Sequence, residues 1–141
     1  MCGRFSLSIP VEAIADHFSV KCETPILPRY NIAPSQMVAV IQKQPGGPDR
    51  MLSMMRWGLI PRWAKDSRIG FKLINARAET LMEKPAFKSA YQQRRCLIAA
   101  SGFYEWRHEG RQKQPYFFQM KEGGLFAFAG IWEQWKSPAG E

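Results

Sequence analysis

Apolar residues recur at helical spacing early in the chain. Val11, Ile14, Ala15 and Phe18 fall on one face at 3.6 residues per turn. Pro10 stands just ahead of them, and proline suits a first helical position. The spacing predicts one short amphipathic helix ending near Phe18. Elsewhere the period is closer to two. Phe5 opens a brief alternating run. Met37 to Gln42 is apolar and β-branched, Pro45-Gly46-Gly47-Pro48 reads as a turn, and Leu52 to Trp57 reads as the antiparallel partner strand. From Leu73 to Glu79 the pattern alternates again, with Ile74, Ala76 and Ala78 on one face and Asn75, Arg77 and Glu79 on the other. Pro85 opens a second helix with Phe87 and Tyr91 one turn apart. Cys96 to Ala100 is a strand that Gly102 breaks. Phe103 to Arg107 is another, followed by a polar turn from His108 to Lys113. Pro115 to Met120 and Leu125 to Ala129 flank Glu122-Gly123-Gly124 as a hairpin. Lys21 to Pro34, with three prolines, and Gly58 to Gly70 read as irregular loops, and the polar tail from Lys136 to Glu141 is expected to fray.

Strands outnumber helices and follow one another through short turns. The expected fold class is therefore α+β: a mainly antiparallel, barrel-like β core with a few flanking helices, forming a single domain over residues 1–141. An apolar fraction of 45% suffices for a core. The formal charge of +8 points to a polyanion, with nucleic acid first, an anionic membrane surface second and a plain basic surface as the bland reading. Cys2, Cys22 and Cys96 are odd in number and widely spaced, which argues against a disulfide framework and a zinc site and for a reducing compartment. No stretch approaches the roughly 20 apolar residues of a membrane span. No signal-peptide core opens the chain. The expectation is a soluble, cytoplasmic protein without a cofactor, metal or membrane partner.

Four groups could carry chemistry. Cys2 follows an initiator methionine, and trimming before a small side chain would leave an α-amine beside a thiol. Both groups titrate near neutral pH. Together they could condense with an aldehyde and close a thiazolidine ring, or the thiol alone could attack a carbonyl. A retained Met1 would block the amine, and a chance cysteine on a frayed end is the bland alternative. Asn75 and Arg77 share a face if their segment is a strand, and could position a phosphate or polarise a carbonyl. A solvent-facing polar edge would look the same. Glu105 lies among Phe103, Tyr104 and Trp106, where desolvation would suit a general acid or base; an exposed or arginine-paired glutamate is equally compatible. Finally, Arg4, Arg29, Arg62, Trp63, Lys65, Arg68 and Arg77 mix cations with rings, as single-stranded nucleic acid binding requires. Trp57, Trp132 and Trp135 read as packing residues, and His17 and His108 as solvated ones.

Several motifs occur in order. They are Met1-Cys2-Gly3-Arg4-Phe5, Arg29-Tyr30-Asn31-Ile32-Ala33-Pro34, Arg56-Trp57-Gly58-Leu59-Ile60-Pro61, Ile74-Asn75-Ala76-Arg77-Ala78-Glu79-Thr80, Gly102-Phe103-Tyr104-Glu105-Trp106 and Ala129-Gly130-Ile131-Trp132-Glu133. The set resembles the SRAP (SOS response-associated peptidase) family from Met1 to about Trp135. The resemblance implies a DNA-damage protein, monomeric, that binds single-stranded DNA containing abasic sites. It implies a covalent thiazolidine crosslink through Cys2, lyase-type Schiff-base chemistry and self-processing that removes Met1. By the same resemblance Asn75 orients the Cys2 backbone or the sugar and Glu105 relays protons. Arg4 and Arg77 contact phosphates, and Trp63 and Trp106 lie against DNA. The family continues with further strands and a histidine that assists the Schiff base, so the chain looks C-terminally truncated relative to it. Members commonly carry aspartate where Ser101 stands. Two other readings remain: a non-catalytic single-stranded DNA-binding remnant, and a glutaminase-like hydrolase with an N-terminal cysteine.

Overall fold

The computed structural model describes residues 2–22, 25–138 and 140. Expectations for Met1 and for the last residues of the tail fall outside them. Eight strands form two four-stranded antiparallel sheets. The first holds β1 (Arg4–Leu7), β2 (Arg29–Ile32), β6 (Gly102–Glu109) and β7 (Gln112–Phe118) in the order β2-β1-β6-β7. The second holds β3 (Met37–Lys43), β4 (Arg50–Arg56), β5 (Arg95–Ala100) and β8 (Phe126–Ile131) in the order β4-β3-β5-β8. Helix α1 spans Val11–Phe18, α2 spans Lys88–Gln93, and two 3-10 turns cover Ser67–Lys72 and Ala78–Thr80.

The α+β class and the antiparallel pairing are as expected, but the two sheets are not closed into a barrel. Their core-facing sides meet through rings. Phe5 of β1 packs edge-on against Trp57 at 5.3 Å and Phe128 of β8 at 5.8 Å. The chain passes from β5 to β6, and so from one sheet to the other, through Ser101 alone. That residue is tied to β1. Its N–H donates to the Ser6 carbonyl at 2.8 Å, and its hydroxyl oxygen accepts from the Ser8 N–H at 3.1 Å. Serine thus fills the turn with hydrogen bonds of its own. Val38, Ala39, Val40 and Ile41 are all buried, as a central strand covered on both faces requires. Ile14 and Phe18 are the buried stripe of α1.

Three expectations are corrected. Residues Arg29–Ile32, read as loop, form β2. Pro28 and Pro34 bracket it, and proline is tolerated beside a short edge strand whose ladder is one-sided. Leu73 to Glu79 is not a strand. The Leu73 carbonyl accepts from the Leu59 N–H at 3.0 Å and the Ile74 carbonyl from Trp57 Nε1 at 2.8 Å, so these groups serve a folded-back loop instead of a ladder. Asn75, Ala76 and Ala78 are also poor strand formers. The hairpin placed around Glu122-Gly123-Gly124 does not form. β7 pairs with β6 from Phe103↔Phe118 to Glu109↔Gln112, within the stretch expected to be a polar turn. Gly110, with φ +60°, closes that hairpin as the first central residue of a two-residue turn. Gly123 and Gly124, also at positive φ, lie on the connection that carries the chain across to β8 in the other sheet.

The loop from Gly58 to Asn75 turns on one backbone contact. Gly58 has φ +122°, and a Cβ there would meet the Gly70 carbonyl oxygen at 2.5 Å. Gly58→Ala is expected to lower stability by about 2–4 kcal/mol, from strained backbone and backbone collision together. Urea denaturation checks this; a loss below 1 kcal/mol, by the same reasoning, would mean that the loop yields.

Candidate functional site

Cys2 enters β1 from its N-terminal end, and β1 lies between β2 and β6. The register Arg4↔Tyr104 and Phe5↔Phe103 runs antiparallel, so continuing it toward the N-terminus leads along β6 toward Glu105. Across the other side, Asn75 Nδ2 donates to the Cys2 carbonyl at 2.7 Å. Cys2, Asn75 and Glu105 are each half-buried. Three sequence candidates are thereby brought together, although Asn75 arrives on a loop and not on a strand.

The Cys2 thiol is held above its ordinary value. Burial is the main cause, a backbone hydrogen bond with Arg4 works against it, and the Glu105 carboxylate adds to the rise. The thiol is accordingly more protonated than a free one at neutral pH, and a nearby base would raise its reactivity. Cys2 and Asn75 line a cavity of about 890 Å³ whose wall is largely apolar, with Met54, Trp57, Phe128 and Trp132 among its residues. Neither histidine lines it. Among the described residues no group of three His, Cys, Asp or Glu could hold a metal ion, and no helix is long and apolar enough to cross a membrane.

The flanking candidates are spread around this centre. Arg4 reaches Asn31 Oδ1 through Nη1 at 3.1 Å. Arg77 is exposed, two residues beyond Asn75, and leads into the 3-10 turn Ala78–Thr80. Trp63 is 61% exposed on the loop after Pro61, and Trp106 stands on β6 opposite in face to Glu105. Other members of the basic-aromatic set have internal duties. Arg29 donates to the Met37 carbonyl at 2.7 Å and to Gln36. Arg68 pairs with Asp66 and Arg62 with Glu133.

Glu133 ends the last of the ordered motifs, yet nothing in the sequence assigns it a role. Its carboxylate is 7% exposed and bridges Arg62 and the equally buried Arg94 at 2.8 Å each. Two residues on, Trp135 Nε1 donates to the Ala64 carbonyl at 2.7 Å. The segment from Glu133 to Trp135 therefore fastens the residues on either side of Trp63. Such pairing across 71 residues leaves no local pattern in a sequence.

A frame of two antiparallel sheets thus holds Cys2 by a loop amide and within reach of the Glu105 charge. Residues 1–141 match the family model of SOS response associated peptidase (SRAP), and the chain belongs to that family. It is 45% identical over 144 residues to the abasic site processing protein YoqW of Bacillus subtilis (strain 168), covering 99% of this chain and 63% of the relative. It is 32% identical over 189 residues to the abasic site processing protein HMCES of Mus musculus, covering 100% of this chain and 54% of the relative. A solved structure of a protein from Bacteroides thetaiotaomicron superposes with a TM-score of 0.86 at 27% identity, over 99% of this chain and 64% of that one. The chain thus spans less than two thirds of the length of these relatives.

Two outcomes follow from the geometry. Glu105→Gln removes one of the causes that raise the Cys2 thiol, so the pH profile of Cys2 alkylation by iodoacetamide, followed by peptide mass mapping, should move to lower pH. An unmoved profile would mean that the carboxylate does not act on the sulfur. Glu133→Ala leaves the buried Arg94 guanidinium without its counter-ion and should cost about 3–5 kcal/mol in urea denaturation. A cost under 1 kcal/mol would show that the pair is not buried as described.

Proposed function

We propose that this chain processes abasic sites in single-stranded DNA by forming a covalent crosslink through Cys2. The observation that carries this reading is the 2.7 Å bond from Asn75 to the Cys2 carbonyl, which holds the cysteine with Glu105 beside it at the rim of a cavity. Names of relatives that describe abasic site processing support it. Once Met1 is removed, the Cys2 amine attacks the ring-opened sugar aldehyde. The carbinolamine loses one water to give an imine. The Cys2 sulfur then adds to the imine carbon, its proton passes to the nitrogen, and the thiazolidine ring closes. One water leaves in total and no electron is transferred. Glu105 is placed to accept and return the protons of dehydration and ring closure. Asn75 fixes the Cys2 backbone so that amine and thiol approach one carbon. Arg4 and Arg77 would hold phosphates, and Trp63 and Trp106 would offer rings to unpaired bases.

A second reading, binding without chemistry, is favoured by the raised thiol of Cys2 and by a cavity lining that includes neither His17 nor His108. Incubation with abasic single-stranded DNA and denaturing electrophoresis separates the two. The expected result is a denaturant-stable adduct with the natural chain, none with Cys2→Ala, and an intact mass lacking Met1. Asn75→Ala should slow adduct formation on the order of ten- to a hundred-fold through lost positioning. An equal adduct from Cys2→Ala would sink the proposal, and tight binding without any adduct would establish the second reading.

A further inference from the structure

Trp63 stands at the tip of a tight turn. The Ala64 N–H donates to the Pro61 carbonyl at 2.9 Å, so Arg62 and Trp63 are the two central residues of a four-residue turn. The Trp63 side chain is 61% exposed, while Ala64 beside it is only 8% exposed and Pro61 is buried as well. One backbone bond closes such a turn, and one bond does not by itself fix the direction in which the tip points. The direction must come from contacts outside the turn.

Those contacts come from the chain that leaves β8. Arg62 Nε donates to Glu133 Oε1 at 2.8 Å, and Trp135 Nε1 donates to the Ala64 carbonyl at 2.7 Å. The first holds the side chain before Trp63 and the second holds the backbone after it. The strap that makes them is itself anchored. Glu133 Oε2 accepts from Arg94 Nη2 at 2.8 Å, and the same nitrogen donates to Ser89 Oγ of α2 at 2.8 Å. The Trp132 N–H donates to the Arg94 carbonyl at 2.9 Å. The side chains of Arg94 and Glu133 are each 7% exposed. A carboxylate this buried cannot leave its arginines without standing as a bare charge, so it stays where they hold it.

We infer that Glu133 and Trp135 are positioning residues for Trp63: they hold its turn so that the indole stands ready for an unpaired base. The inference rests on the reading of Trp63 as a ring offered to DNA and adds the two residues through which that ring is presented. Neither of them touches the base. Both grip the turn at atoms that leave the Trp63 ring uncovered, Arg62 Nε on one side and the Ala64 carbonyl on the other. A ring on a backbone already held gives up less freedom when a base stacks on it, and affinity gains by that difference. A strap that served only to stabilise the fold would act on binding whether or not the Trp63 ring were present.

The test is a double-mutant cycle, read by fluorescence anisotropy with an unmodified oligothymidylate of about 10 nucleotides. Trp63→Ala should weaken binding on the order of ten-fold. Trp135→Phe keeps an aromatic side chain and removes the N–H that reaches Ala64. It should weaken binding several-fold in the natural chain and leave affinity unchanged in a Trp63→Ala background. Equal losses in the two backgrounds would mark a merely structural role and overturn the inference. Unchanged affinity in a folded Trp135→Phe, or in Trp63→Ala, would overturn it too. Glu133→Gln supplies a second cycle through the other contact, should Trp135→Phe fail to fold. It keeps an oxygen for one of the two arginines, and the factor by which Trp63→Ala weakens binding should shrink in its presence; an undiminished factor counts against the strap. The probe lacks an abasic site, so none of these results touches the adduct through Cys2. A chain that shows the coupling yet forms no adduct keeps the positioning role and loses only the covalent reading.

Discussion

The bond from the Asn75 amide to the Cys2 carbonyl joins residues 73 positions apart, and the site depends on it. Its geometry is inherited from Trp57. One side of that indole packs edge-on against Phe5, three residues after Cys2, and its N–H donates to the Ile74 carbonyl, one residue before Asn75. A single side chain thus fixes both the strand that Cys2 enters and the loop that carries Asn75. The loop can fold back this closely because Gly58 and Gly70 meet without side chains between them. Core packing and site geometry are therefore one set of constraints, and disturbance of the Gly58 turn reaches Cys2 through Asn75.

The division into two sheets gives β6 a double role. Its inner face supplies Phe103 to the aromatic contacts between sheets and presents Glu105 toward the entry of β1. Its outer face supplies Tyr104 and Trp106 to solvent. The pivot at Ser101, bonded to Ser6 and Ser8, sets the register that keeps these faces apart. A slip of one residue would exchange them, placing the carboxylate among the outer rings and a tyrosine in the core.

Much of this frame was legible in the order of residues. Helical spacing placed α1 from Val11 to Phe18, and apolar runs between turn residues placed β3, β4 and β5, because each of these elements buries a face whose pattern shows locally. The failures share one cause. β2 is an edge strand between prolines, the Leu73–Glu79 stretch answers to Trp57 and Leu59, and β7 takes β6 as its partner instead of β8. In each case a distant partner decides the conformation, and local propensity carries no record of it. Cys2, Asn75 and Glu105 were legible as chemical types and through family resemblance, but their convergence depends on these long-range contacts. The Arg62–Glu133–Arg94 bridge had no local signal at all.

Composition also overstated the charge open to a polyanion. Of the arginines first grouped with the rings, Arg29 is bonded to a backbone carbonyl, Arg62 to Glu133 and Arg68 to Asp66. Arg94 is buried in an ion pair. A net charge of +8 therefore does not mean eight phosphate contacts. Near Cys2, Arg4 is itself bonded to Asn31, while Arg77 stands exposed two residues beyond Asn75. Binding of a polyanion met by so few open arginines would depend only weakly on salt, so net charge is a poor measure of what such a surface could hold.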